Sequence, residues 1–393
     1  MKQPRGFLLI VILMVSSLSL DACSFSVQTL PGTPSSENLP PSAGPSATEP
    51  PLLPTFTPPA VTEELPVPTP TLISIRADTI PMLRIFQNFE VKDIVRNLTF
   101  TPNGTVLAAA GGNTDDFSIH LWDVVNGQSL GELNGHTGIV WSLAFSPDGS
   151  MLASVSADHT AKIWDWRNQA LIKSLDFPDQ VTSVSFSPDG STLAVGGVDL
   201  PQNQIQNATI WTYSVDSWQP LVKFSEYINI GAMAYSPDGN WLVGGGTSRN
   251  LEVWRPSGGP AVRILNHAHQ VSKVAISPDS STVTTGTCAN TTNSQCTEGS
   301  VWVWDLRSGR LRAKLAGFPD LVENLAFSAD GSTLVAASRD GTLRFYATSD
   351  YHQLFEFPST GGISAMALSA DGGLLATGSV NGQVQIWKVV RQP

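Results

Sequence analysis

From residue 82 onward, apolar positions come in short runs that alternate with polar ones, and each run ends in a polar turn. Residues 140–145 (VWSLAF) alternate as a half-buried strand does. Residues 151–155 (MLASV), 161–165 (AKIWD) and 170–174 (ALIKS) form three further runs, split by turns at 146–149 (SPDG) and 157–160 (ADHT). In the first turn Pro147 presets φ at a central position and Gly149 accepts the backbone angle the hairpin needs. Helical periodicity is missing from the whole region. The pattern predicts a unit of four antiparallel strands.

That unit recurs. Its turn stands at Pro102, Pro147, Pro188, Pro237, Pro278, Ala329 and Ala370, at intervals of 45, 41, 49, 41, 51 and 41 residues. Such a period marks one supersecondary unit stacked on copies of itself. Seven copies of four strands predict an all-β, seven-bladed β-propeller of four-stranded antiparallel blades.

The third strands carry Trp122, Trp164, Trp211, Trp254, Trp304 and Trp387 at one shared place, with Tyr346 in the remaining copy; Asp123, Asp165 and Asp305 follow in three. Gly135 and His136 precede the second repeat. On these residues residues 82–390 resemble the WD-repeat β-propeller family. The resemblance implies a buried hydrogen-bond network of His136, Asp158, Trp164 and a second-strand serine, Ser154 or Ser156. His267 and Asp340 resemble remnants of it in other blades. It also implies that the residue after the first apolar position of each inner strand faces the mouth of the central channel. Those residues are Arg96, Trp141, Thr182, Gly231, Ser272, Glu323 and Ser364, with Arg339 beside them. An Arg and a Trp among small side chains suit a recognition face, since both dominate binding hot spots.

The last repeat stops after its third strand, at 387–391 (WKVVR). Residues 82–87 (MLRIFQ) read like the outer strands at 261–265 and 311–315. Pairing the termini closes the ring and removes its edges, which makes the seventh blade a composite.

Charge changes the picture in one respect. The chain carries a net charge of −11, with 19 Lys and Arg against 27 Asp and Glu from Pro81 onward, so binding to a phosphate backbone is not expected. The first 22 residues have a basic start, an apolar run too short to span a bilayer, and a small residue before Cys23, a pattern that resembles a bacterial lipoprotein signal. Asp21 departs from it, and an ordinary cleaved signal is the alternative. Residues 23–80 hold thirteen prolines among Ser, Thr and Glu and read as a disordered stalk beginning at a lipidated Cys23. Residues 81–393 are then the propeller. Cys288 and Cys296 flank a polar insert; in an oxidising compartment they suit a disulfide, with a poor metal pair as the alternative.

Catalytic chemistry finds little support. His136, Ser154 and Asp158 are the residue types of a nucleophilic triad, but they occupy the network positions. His267 and His269 lack a third metal ligand, and Asn113, Asp115 and Asp116 form an oxygen-rich turn that reads as a hairpin tip before it reads as a calcium site. No enzyme activity and no cofactor or metal are expected. The functional expectation is a monomeric, membrane-tethered, extracytoplasmic scaffold for a protein or peptide, touching the membrane only through its lipid. A channel-mouth receptor or hydrolase-type propeller, or a structural subunit of an envelope assembly, are the alternatives.

Overall fold

The computed structural model describes residues 73–112, 116–199, 207–226, 230–247, 249–267, 269–292, 295–358 and 361–390. The chain divides into two units, 1–66 and 67–393. The leader, Cys23 and most of the stalk lie outside the described residues.

The folded unit is a seven-bladed β-propeller with four antiparallel strands per blade. Blades 1 to 6 occupy 95–133, 140–176, 181–226, 230–266, 271–318 and 322–358; blade 7 joins 363–389 to an N-terminal strand. The first strand of every blade is innermost, and each inner strand touches the next around a closed ring. The apolar residues collect in seven clusters, one at every seam between neighbouring blades. A blade is therefore covered on both faces. Second strands are buried over most of their length, and at every position in Leu152–Ser156 and Thr333–Ser338, which read as continuous apolar or small runs.

All seven Ser-Pro-Asp-Gly-type turns are built alike. In the second, Ser146 Oγ donates to Asp148 Oδ1 at 2.6 Å and accepts from the Met151 amide at 2.9 Å, while the Gly149 amide closes the turn on the Ser146 carbonyl at 2.8 Å. Gly149 sits at φ +69°, where an L-residue is strained. Ser280 takes the glycine's place in the fifth copy at φ +57°, and its Oγ accepts from the Asp238 amide of blade 4 at 3.0 Å.

The closing strand runs Leu83–Glu90, a later frame than 82–87, and pairs with Gln383–Val389. The folded part also begins before residue 81, inside the segment assigned to the stalk. Ile75 and Ile80 are fully buried with Leu83 against blades 6 and 7, and the Ile75 amide donates to the Gly372 carbonyl at 2.7 Å.

Candidate functional site

A β-bulge decides what the channel sees. In each inner strand the register slips between the first and third residues, at Val95/Asn97, Val140/Ser142, Val181/Ser183, Ile230/Ala232, Val271/Lys273, Val322/Asn324 and Ile363/Ala365. The extra residue is always the second. A bulge of this kind re-aims one side chain relative to its neighbours, and here it turns the second residue inward. Arg96, Trp141, Thr182, Gly231, Ser272, Glu323 and Ser364 accordingly line one cavity of about 310 Å³ together with Gln180, Lys273 and Asn324. The fifth inner-strand residues, Thr99, Ala144, Ser185, Ala234, Ala275, Ala326 and Ala367, are also half-buried, and all are small.

The ring divides into structural and open positions. Thr182 Oγ1 donates to the Ile230 carbonyl, Ser272 Oγ to the Val322 carbonyl at 2.5 Å, and Ser364 Oγ to the Val95 carbonyl at 2.7 Å. Each hydroxyl thereby ties its blade to the next one. Asn97 and Asn324 do the same one residue further on, accepting from the Leu143 and Met366 amides at 3.3 and 3.2 Å. Thr182 and Ser272 therefore line the mouth with hydroxyls already engaged.

The remaining polar groups are differently placed. The Arg96 guanidinium lies over the Trp141 ring, 5.4 Å from its centroid. Glu323 pairs with Arg339, whose Nε is 3.1 Å from Oε1. Arg339 does not line the cavity; it lies on the rim, half-exposed, and reaches the site only through Glu323. Lys273 also lines the cavity. Desolvation holds its ammonium below the usual lysine range, against the opposing field of Glu323. Lys273 is half-buried by surface area, so its ammonium is partly desolvated on the cavity wall and keeps access to the channel. Strict alternation places its position with the strand's other face, so only knowledge of the bulge would have found it.

The second set of site residues is a packing device. His136 Nδ1 lies 2.8 Å from Asp158 Oδ2 and Nε2 2.7 Å from Ser154 Oγ, which accepts from Trp164 Nε1 at 2.8 Å. Ser156 bonds the Gly138 carbonyl instead. Burial alone would push the Asp158 carboxyl up, but hydrogen bonds from His136, Thr160 and Thr137 outweigh it and hold the group far below the usual carboxylate range. The Ser154 hydroxyl is fully buried between a histidine and an indole, with no space for a substrate. At the equivalent place in blade 5, His267 Nδ1 donates to the Leu265 carbonyl at 2.9 Å, and Nε2 meets Thr285 Oγ1 and Trp304 Nε1 at 2.8 and 3.2 Å. Both ring nitrogens are engaged, so His267 offers no lone pair to a metal. Burial lowers its pKa to about 4. Asp340 only caps its own turn, through Thr342. Asp116 is held by Ser118 and His120; Asn113 and Asp115 lie outside the described residues.

Blade 5 carries one further feature at this end. Its second and third strands, Thr282–Thr292 and Gln295–Asp305, run past the Val271–Thr287 pair and rise beside the mouth. Cys288 and Cys296 are bonded across them with Cα atoms 5.7 Å apart.

The closed ring, its stapled seams and its polar mouth define a β-propeller built of sequence repeats. Residues 83–123, 127–165, 170–199, 218–255, 309–346 and 352–388 match the WD40 family (WD domain, G-beta repeat), and the chain belongs to that family. It is 26% identical over 236 residues to transcription initiation factor TFIID subunit 5 of Caenorhabditis elegans, covering 59% of this chain and 34% of that one. It is 29% identical over 278 residues to anaphase-promoting complex subunit cdc20 of Dictyostelium discoideum, covering 69% and 52%. Against the target of rapamycin complex subunit wat1 of Schizosaccharomyces pombe the figures are 27% over 222 residues, 54% and 68%. The chain thus spans about a third of the first relative and half of the second. These comparisons correct the address inferred from the leader. The relatives are eukaryotic subunits of a transcription initiation factor, the anaphase-promoting complex and the target of rapamycin complex. The bacterial, extracytoplasmic, lipid-anchored location is withdrawn on that finding.

Proposed function

We propose that this propeller is a binding scaffold whose channel mouth engages a protein or peptide partner. The observation that carries the reading is the convergence of all seven bulged residues on one cavity, where Arg96 and Trp141 are stacked and bond to no other side chain among the described residues. Arg and Trp are the side chains that most often anchor interfaces. The relatives, named as subunits of multiprotein complexes, support a scaffold over an enzyme. So does the His136–Ser154–Asp158 set, which is sealed within a seam. The disulfide-bonded hairpin of blade 5 adds a raised wall on the same side.

The test is affinity capture with the full chain, comparing wild type with Trp141→Ala and Arg96→Ala. Partners bound by the wild type and lost from both variants support the mouth as the docking site. Retention of every partner by both variants overturns it.

A further inference from the structure

The mouth holds more positive charge than its surroundings use. Arg96 makes no hydrogen bond and no ion pair among the described residues; only the Trp141 ring faces it. Lys273 makes no direct hydrogen bond or ion pair among them either, and the opposing charge that acts on it is that of Glu323. The one carboxylate in the cavity, Glu323, is paired with Arg339. Three further groups in the wall are buried donors without an acceptor: Arg96 Nε, Trp141 Nε1 and Asn324 Nδ2, the last on a residue only 3% exposed whose Oδ1 is already engaged. A partly desolvated cation short of counter-charge is costly, and so is each unpaired buried donor. The cavity therefore presents donors and positive charge on both sides of the channel, from blades 1 and 2 and from blades 5 and 6, within a chain of net charge −11.

We propose that the channel mouth is an oxyanion receptor, taking a carboxylate or phosphoryl group that a partner inserts between Arg96 and Trp141 on one side and Lys273 and Asn324 on the other. The inference rests on the scaffold reading and names the chemistry that its site selects. An anionic oxygen supplies the counter-charge that Arg96 and Lys273 lack, and charge-assisted bonds to Arg and Lys are the strong ones. The cation–π contact with Trp141 holds the guanidinium beside the mouth beforehand, so less freedom is lost on binding. Thr182, Ser272 and Ser364 add nothing to the contest, because their hydroxyls point into the seams.

The experiment measures binding of fluorescein-labelled hexaglutamate, hexaglutamine and a phosphoserine hexapeptide to the full chain at low and moderate salt. Hexaglutamate or the phosphoserine peptide is expected to bind, with hexaglutamine at least roughly tenfold weaker, and added salt should weaken binding. Tighter binding of one anionic peptide assigns the source as carboxylate or phosphoryl. Lys273→Met and Arg96→Gln should each reduce binding at least roughly tenfold, and Asn324→Asp should abolish it while keeping the acceptor for Met366. A purely structural role would make Lys273→Met destabilising; the receptor role predicts a variant about as stable as wild type, because the ammonium makes no direct hydrogen bond or ion pair to lose. Equal binding of hexaglutamine, or unchanged hexaglutamate binding in Lys273→Met and Arg96→Gln, overturns the proposal. If a captured partner is lost from Trp141→Ala yet kept by Lys273→Met, the scaffold reading stands and the oxyanion reading falls.

Discussion

His136 and His267 occupy the same place in blades 2 and 5, yet their surroundings set opposite chemistry. His136 faces a carboxylate and completes a chain from Asp158 to Trp164. His267 has no acid partner, so burial dominates and the ring is neutral at pH 7. Two predictions follow the difference. Ser154→Ala leaves His136 Nε2 and Trp164 Nε1 without their shared partner inside a seam, which should cost about 3 kcal/mol, read as a lower urea midpoint at unchanged m. For His267, the unfolded chain takes up a proton near pH 6.5 while the folded chain does so only near 4. Between these values the unfolded state binds more protons, so stability falls as pH drops through the window and is fully regained above it. His267→Gln should be less stable than wild type at pH 7, and its deficit should shrink as pH falls from 6.5 to 4. A deficit that stays constant across that window would mean that the ring is charged when folded.

At the scale of the strand, the alternating pattern made the number, length and order of elements legible, because burial between blades demands apolar residues at fixed positions. The turns were legible for the same reason: Asp148 and Gly149 are required by hydrogen bonding and φ. Alternation failed at the bulge. Period two predicts one inward face per strand, but a bulge after the first residue sends position two to the channel and moves Lys273 into the wall. Nothing in the local sequence marks that slip, since Val140, Trp141 and Ser142 read as an ordinary strand start. The family resemblance supplied the second positions; Lys273 needed the backbone. The bulge also sorts mutational effects. Val140 is fully buried in the seam between blades 1 and 2 while its neighbour Trp141 lines the cavity. Val140→Ala should therefore cost about 2 kcal/mol in chemical denaturation, and Trp141→Ala, despite removing far more side chain, should cost less than half of that. The reverse ranking would place Trp141 in the core and remove it from the mouth. The hydroxyl ties from Thr182, Ser272 and Ser364 were illegible for a related reason, as their acceptors lie about one repeat further along, or at the other end of the chain.

For the whole molecule the decisive fact is an offset of one strand. Each stretch that matches the family begins with an outer strand and runs on into the following blade, through its inner three strands in five of the six, and the first of them, 83–123, begins with Leu83–Glu90, which belongs to blade 7. The sequence repeat and the structural blade are out of phase, so the first repeat cannot complete itself without the last. Ring closure then depends on seven register pairs between Leu83–Glu90 and Gln383–Val389, and on the wedge of Ile75, Ile80 and Leu83 against blades 6 and 7. Without them Gln383–Val389 becomes an open edge with unpaired amides and carbonyls, a site for aggregation or proteolysis. Leu83 is 2% exposed, and Leu83→Asp places an unpaired carboxylate in that wedge, a change that should cost on the order of 4 kcal/mol. Because every seam leans on the next, the loss should appear as earlier unfolding of the whole ring in a single transition, accompanied by rapid limited proteolysis near residue 389. Deleting 83–90 should be worse still and yield a chain that is degraded or insoluble. A protease-resistant, soluble deletion with wild-type melting temperature would show that the blades hold together without the composite strand.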